Sequence, residues 1–549
     1  MKKIIKENYK YFILIALIAT ILLGFIYKND SLRGHDLSFH IANIKNIVDH
    51  DLKLSPIMPE LGNNLGYGIY IFYPFLPHYT YATIGYLLKI FSIPLIDSIL
   101  FTNILVSIFS SIILYFLSLK LSKSKKVAFL SSIIYLLFPY RLGTITVRMA
   151  INENFTGLFM PLILLGISNL LDDQENKFLI YFTVGYTGLI LSHYVLSLYF
   201  TLLVFLVLLI NIKKIKEKNI FKTLITGIVF VSILVLPNMI LFLEHYKMDY
   251  LVYLDGYMTS SSLIQSNILF LKDLFIPKNN YDWDIPYYIS LPVLLSFIYS
   301  TYIIVKNKNK KYLLMIIMII GLIFLVTSNL VWHYLPSTFE MIQFPWRLLL
   351  ILSLFVSLVS PLWICKIKNK KIYIFLILIF ILPSFFLVHK LQKRIYTYDY
   401  INIDINDGVG NINEYYPVEK FYFPDYFENK TDIDFIESSG TSKVIENDTN
   451  HNTYTFEIES DGFVKIELPR IYYKGYVLEN KKHQKINIKR SNYGFIEADV
   501  SEGIYTLRYK GTIYDIIAQW LRRIFIFFCI SKWIIVKKMN KSFSKKETV

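Results

Sequence analysis

The chain has 549 residues, of which 54% are hydrophobic, 17% aromatic and only 18% charged, against roughly a quarter charged in an ordinary soluble domain. That balance excludes a soluble multidomain enzyme, and the formal charge of +16 does not point to nucleic acid either. Segments 1–10, 120–126, 172–177, 213–222, 306–311, 366–371 and 532–549 hold 28 Lys against 6 acidic residues, so the rest of the chain is net negative; lysines gathered between apolar runs are what the positive-inside rule produces.

Taken in order, the first apolar run, Tyr11 to Tyr27, lacks an A-x-A-like cleavage site and reads as a retained first helix. With every Lys cluster on the cytoplasmic side, the crossings are expected at about 11–27, 97–119, 127–140, 155–171, 178–193, 194–212, 223–243, 288–305, 312–331, 347–365, 372–389 and 514–536. Twelve crossings place both termini inside. The run 127–140 is short and is expected to extend past Arg141, and the last span carries Arg522, Arg523 and Lys532, which must snorkel or sit at an interface.

Residues 28–96 are then a long first external loop. Its apolar stretch Tyr70 to Phe91 cannot be a crossing, because that would put Lys120, Lys123, Lys125 and Lys126 outside. Within the loop, Leu37, Ile41, Ile44 and Val48 recur at helical spacing and predict an amphipathic helix lying on the membrane. A second external loop covers 244–287. From about 390 to 512 the pattern changes to period-two runs such as Thr453-Tyr-Thr-Phe-Glu-Ile-Glu and Phe463-Val-Lys-Ile-Glu-Leu, broken by Asp461-Gly462 and Glu502-Gly503. This predicts an extracytoplasmic, sandwich-like β-rich domain. The expected organisation is a transmembrane domain over 1–389, the β-rich domain over 390–512, and a final helix with a basic cytoplasmic tail over 513–549. Cys365 and Cys529 suit neither an external disulfide nor a metal site.

Asp36, His40, Arg148, Glu153, His193, His333, Glu340 and Arg347 all fall at outer helix ends or in outer loops, while the middles of the expected spans carry almost no ionisable group. A proton- or ion-coupled carrier needs charges near the midplane, so the distribution favours a site on the outer face that handles a lipid-borne substrate. Each residue also has an ordinary structural reading. Asp36 and His40, four apart on one helical face, read as an N-cap and an interfacial histidine or as a catalytic pair. Arg148 and Glu153 read as an ion pair at a helix mouth. Arg347, beside Trp346, is either an aromatic-belt anchor or a guanidinium that grips a lipid phosphate in a bidentate fork. His193 sits at a tight turn between two spans, where a buried hydrogen-bonded role is the ordinary one.

The series Asp36-x-x-x-His40, Gly66-Tyr-Gly-Ile-Tyr-Ile-Phe-Tyr-Pro74, Phe138-Pro-Tyr-Arg141 with Arg148 and Glu153-Asn154, and Gln343-Phe-Pro-Trp-Arg347 resembles the YfhO-type bacterial membrane proteins. It is also similar to the membrane family described as 6-pyruvoyl-tetrahydropterin synthase-related. Both look like members of the GT-C superfamily of membrane glycosyltransferases. The likeness runs over most of residues 1–390 and extends more loosely through Glu414-Tyr-Tyr-Pro417. It implies a GT-C-like all-α polytopic domain, an acidic catalytic residue in the first external loop, which falls on Asp36, and a polyprenyl-phosphate sugar donor. Where many GT-C enzymes carry paired acidic residues in that loop, this chain has His35-Asp36. The pterin name implies no pterin chemistry.

The expected activity is inverting glycosyl transfer from the lipid-linked donor to an envelope acceptor on the outer face of the cell membrane, the acceptor being a teichoic acid, a polysaccharide or a glycolipid. Asp36 and His40 are the expected catalytic residues, and Arg148, Glu153, His193 and Arg347 the expected substrate-binding residues. No cofactor is expected and no nucleic-acid partner; a divalent metal is not indicated. A flippase or exporter of lipid-linked sugars, which needs no external base, and a non-catalytic envelope scaffold are the alternatives.

Overall fold

The computed structural model describes residues 2–26, 34–246, 261–277, 285–336, 339, 342–392, 404–409, 415–436, 439–449 and 452–546. Glu340 and Glu414, which entered the sequence reading, lie outside the described residues. The chain divides into two compact units. The first comprises Met1–Leu54, Pro74–Leu224 and Tyr253–Ile412, and the second Ser55–Tyr73, Ile225–Val252 and Asn413–Val549.

Every expected crossing coincides with a helix, and among the described residues seven helices are long and apolar enough to cross a membrane. These are the helices of a membrane protein. An eighth span exists if Lys125–Leu136 and Pro139–Arg148 count as one, bent by 43°. The bend lies at Phe138-Pro139, where proline lacks the N–H that would continue the first helix and instead opens the next one at its first position. Helices Glu175–Ile190, Tyr194–Ile210 and Leu291–Lys306 are 16, 17 and 16 residues long. Ile513–Lys546 has length to spare but carries Asp515, Arg522, Arg523 and Lys532 in its first twenty residues.

The stretch expected not to cross holds two helices, Ile69–Phe72 and Leu76–Lys89, and the longer has 14 residues, about 21 Å at 1.5 Å per residue, short of the roughly 30 Å bilayer core. The helix Leu37–Asp49 forms where the amphipathic spacing predicted it. Its stripe does not lie on a membrane surface. Leu37, Ile41, Ile44 and Val48 are buried in protein, packed against Leu76–Lys89 and the turn Ile405–Val409, and the Asn43 side-chain amide donates to Gly408 O at 2.9 Å. An apolar stripe specifies what must leave water, and protein serves as well as lipid.

Among the described residues of the second unit, nine strands form two antiparallel sheets. β1 (Asp434–Ile436), β4 (Val464–Ile471), β8 (Phe495–Val500) and β7 (Ile488–Arg490) lie in the order β1-β4-β8-β7. β2 (Thr441–Asp448), β3 (Thr453–Glu459), β9 (Gly503–Tyr509), β5 (Tyr476–Asn480) and β6 (Lys485–Ile486) lie in the order β2-β3-β9-β5-β6. Alternate residues supply the core: Phe456, Ile458, Leu478 and Leu507 from one sheet, Ile466, Leu468, Ile496 and Ala498 from the other. Segment 55–73 joins the same unit, for Leu65 O accepts from Ile471 N–H at 2.9 Å and Tyr473 Oη accepts from Gly68 N–H at 3.0 Å.

Candidate functional site

Residues 34–36 are docked on the turn that closes the second helix of the bent pair. Thr144–Arg148 forms a π-turn, and Met149 ends it in the left-handed region at φ 53°; such turns recur at functional sites. Here the turn frees carbonyls that pair outward: His35 N–H donates to Val147 O at 3.2 Å and Asp36 N–H to Arg148 O at 3.0 Å. The approach requires glycine at 34, since a Cβ there would come within 2.5 Å of Met149 Cβ. Backbone pairing thus brings residues 36 and 148 together across more than a hundred positions.

Asp36 occupies the N-cap position of Leu37–Asp49, yet its side chain caps nothing. Its Oδ2 instead accepts from Arg148 Nη2 at 3.2 Å. Arg148 Nη1 lies 2.6 Å from Glu153 Oε2, and Glu153 Oε1 accepts from Arg347 Nε at 3.0 Å. The four charged side chains therefore form one linear series, Asp36–Arg148–Glu153–Arg347. Exposure grades along it: Glu153 is 3% exposed and Arg148 7%, whereas Arg347 is 13% and Asp36 38% exposed. The Asp36 end is the exposed one, Arg347 is mostly buried, and the middle is sealed.

Aromatic rings hold the arginines in plane. Arg148 lies 4.7 Å over the Trp346 ring and Arg347 4.8 Å over Phe344, and these two rings stack at 4.9 Å; Tyr140 and Tyr287 complete the cluster. Arg347 Nη1 donates to Ile342 O at 3.1 Å and to Gln343 Oε1 at 3.0 Å. With Nε on Glu153, only Nη2 has no partner among the described residues. The expected bidentate fork is therefore reduced to one open nitrogen, because the other donors are spent inside the protein.

His40 does not reach the Asp36 carboxylate. Its N–H donates to Asp36 O along the helix, and its Nδ1 hydrogen-bonds His78 Nε2 at 2.7 Å inside the protein. Burial, helped by nearby Arg148, holds the His40 ring down to about 3. Burial and the neighbouring His40 ring hold His78 well below the ordinary imidazole range, so both are neutral. Burial also lowers His35, against the pull of Asp36. His193 caps Tyr194–Ile210 by accepting Leu196 N–H at Nδ1, 3.3 Å away, and lies within electrostatic range of Arg347, Glu153 and Arg148.

The structure thus gathers Asp36, Arg148, Glu153 and Arg347, sets His193 beside them and turns the His40 ring away. His333 is exposed and, among the described residues, lies against the adjacent Tyr334 ring. Reading by sequence missed Tyr140, whose hydroxyl is 3.5 Å from Glu153 Oε2, as well as Gln343 and Trp346. All three lie within the quoted motifs, which were the signal available. Another motif residue, Arg141, is buried against Tyr135 at 3.7 Å and donates to Ser110 Oγ at 3.0 Å, with no acidic partner among the described residues. Those residues also contain no group of three or more His, Cys, Asp or Glu placed to hold a metal ion.

No family model matches the chain, and no curated protein matches it. Among solved structures, the apo oligosaccharyltransferase of Archaeoglobus fulgidus is similar over 75% of this chain and 60% of that one, with 14% identity and a TM-score of 0.43. The same enzyme in complex with Zn and sulfate is similar over 74% and 57%, with 13% identity and a TM-score of 0.38. The chain spans less than two thirds of the length of either match.

Proposed function

We propose that the protein is a membrane glycosyltransferase that moves a sugar from a polyprenyl-phosphate donor to an envelope acceptor on the extracytoplasmic face. One observation carries the reading: a charged series sealed in its middle ends in a half-exposed carboxylate at Asp36 and in a guanidinium with one open nitrogen at Arg347. Those are the two groups that transfer from a lipid phosphate requires, a base for the acceptor and a cation for the leaving phosphate. The motif resemblance to GT-C membrane enzymes supports the same chemistry.

In this mechanism Asp36 takes the proton of an acceptor hydroxyl as its oxygen attacks the anomeric carbon. The bond from that carbon to the phosphate oxygen breaks, and the lipid phosphate leaves with the electron pair against Arg347 Nη2. Arg148 fixes the Asp36 carboxylate, and Glu153 fixes both arginines. General-base help contributes roughly 10²- to 10⁴-fold, and stabilising the departing phosphate about 10²- to 10³-fold per donor group. His40 and His78 brace the helix that carries Asp36. The topology behind the reading places Asp36 outside, with the Lys clusters in the cytoplasm.

The test is transfer of radiolabelled sugar from a panel of polyprenyl-phosphate sugars to envelope fractions, using the purified full-length chain in lipid nanodiscs. Incorporation that Asp36→Asn abolishes supports the proposal. Donor that is carried across the bilayer of a proteoliposome, with no incorporation, would replace it with the flippase reading.

A further inference from the structure

Glu153, which fixes both arginines, touches no reacting group in the transfer, and the charge arithmetic of the series assigns it a further task. Asp36 and Glu153 oppose Arg148 and Arg347, so the series is neutral, and the histidines His35 and His40 add no charge at neutral pH because burial lowers both. Glu153 also divides its two oxygens between the two arginines, at 2.6 Å from Arg148 Nη1 and 3.0 Å from Arg347 Nε. It thereby removes the nitrogen that would complete a fork at Arg347. Gln343 Oε1 and Ile342 O occupy Nη1. What remains for a ligand among the described residues is a single guanidinium nitrogen in a series of zero net charge.

Such a site has capacity for one negative charge. A phosphodiester brings one and can place a non-bridging oxygen on Arg347 Nη2. A diphosphate brings at least two, and its second phosphate finds no open cation among the described members of the series and meets the carboxylates of Glu153 and Asp36 instead. Like charges in a partly desolvated site repel strongly. We infer that Glu153 is a specificity-determining residue that restricts the donor to a singly charged lipid phosphodiester and rejects lipid diphosphates. The inference rests on the proposed donor site at Arg347.

The experiment uses probes of defined charge without any sugar: farnesyl methyl phosphate, a monoanionic phosphodiester, and farnesyl diphosphate. Binding of each to the full chain in nanodiscs is measured by calorimetry for the wild type, Glu153→Gln, Glu153→Asp and Arg347→Ala. The wild type is expected to bind the diester at least tenfold more tightly. Glu153→Gln raises the net charge by one and leaves one acceptor oxygen for two arginines where there were two, and should lose that preference or invert it. Glu153→Asp keeps the charge and should keep the preference even if both affinities fall, which holds the test open if the Gln variant misfolds. Equal or tighter wild-type binding of the diphosphate overturns the inference, as does an unchanged preference in a folded Glu153→Gln variant. If diester binding is lost in Arg347→Ala while the wild type fails to discriminate, the donor site stands and only the role of Glu153 falls. If the wild type binds neither probe, both fall.

Discussion

At the scale of single residues, Asp36 carries the most weight. Asn keeps its size and its hydrogen bond with Arg148 through the amide oxygen, but it cannot accept a proton at neutral pH, so the substitution separates base chemistry from structure. Asp36→Asn is expected to fold, to bind donor lipid, and to lose transfer by at least about 10²-fold, whereas His40→Ala should lose less. Transfer assays and donor binding on the same preparations decide this, and near-normal transfer by Asp36→Asn would remove the assignment. The buried histidines add a pH dependence with a definite sign. His40 is held at about 3 in the folded chain, below its unfolded value of about 6.5. Above 6.5 both states are neutral; as pH falls below it the unfolded chain takes up the proton first, and folding loses up to about 1.4 kcal/mol per pH unit per histidine. Thermal unfolding in detergent should therefore fall steeply from pH 6.5 to 5, and less steeply in His40→Gln.

At the scale of elements, the site depends on the π-turn Thr144–Arg148 and on the segment that docks against it. Gly34→Val leaves every charged residue in place but adds a side chain whose Cβ would lie 2.5 Å from Met149 Cβ, so residues 35 and 36 must withdraw. Displacement of about 1 Å can cost on the order of 10²-fold in rate. Transfer by Gly34→Val should approach that of Asp36→Asn, with the donor affinity set by Arg347 retained. A valine variant with normal turnover would show that the docking on Val147 and Arg148 does not position the base. The helix Leu37–Asp49 was legible in its spacing, but the partners of its stripe were not, because hydrophobic spacing specifies a face and never the surface that covers it.

At the scale of the whole molecule, topology is the exposed claim. Reporter fusions after Lys125, Lys216, Lys308 and Lys370 should report cytoplasm, and fusions at Asn64, Asn280 and Asn450 the outside. A cytoplasmic signal at Asn64 would remove the extracytoplasmic site together with the threading. The period-two pattern over Thr453–Glu459 and Val464–Ile471 announced strands, and both are present. That segment 55–73 belongs to the same compact unit as these strands was invisible in sequence, since nothing in Leu65 or Gly68 marks them as partners of Ile471 and Tyr473.

The sequence by itself determined the helical, membrane-embedded character of the chain, the positions of its long apolar helices, the change to strands near the C-terminus and the set of polar residues worth watching. Each of these follows from composition and periodicity, which act locally. Only the tertiary structure decided how those polar residues pair. Asp36 reads as a cap or as a base, and only the structure puts its carboxylate on Arg148 and not on the helix N-terminus; Arg347 reads as an anchor or a free fork until Glu153 and Gln343 are seen to occupy it. Asp36 and Arg148 are 112 positions apart and Glu153 and Arg347 194; pairing over such distances is set by the packing of whole helices, and no local pattern encodes it.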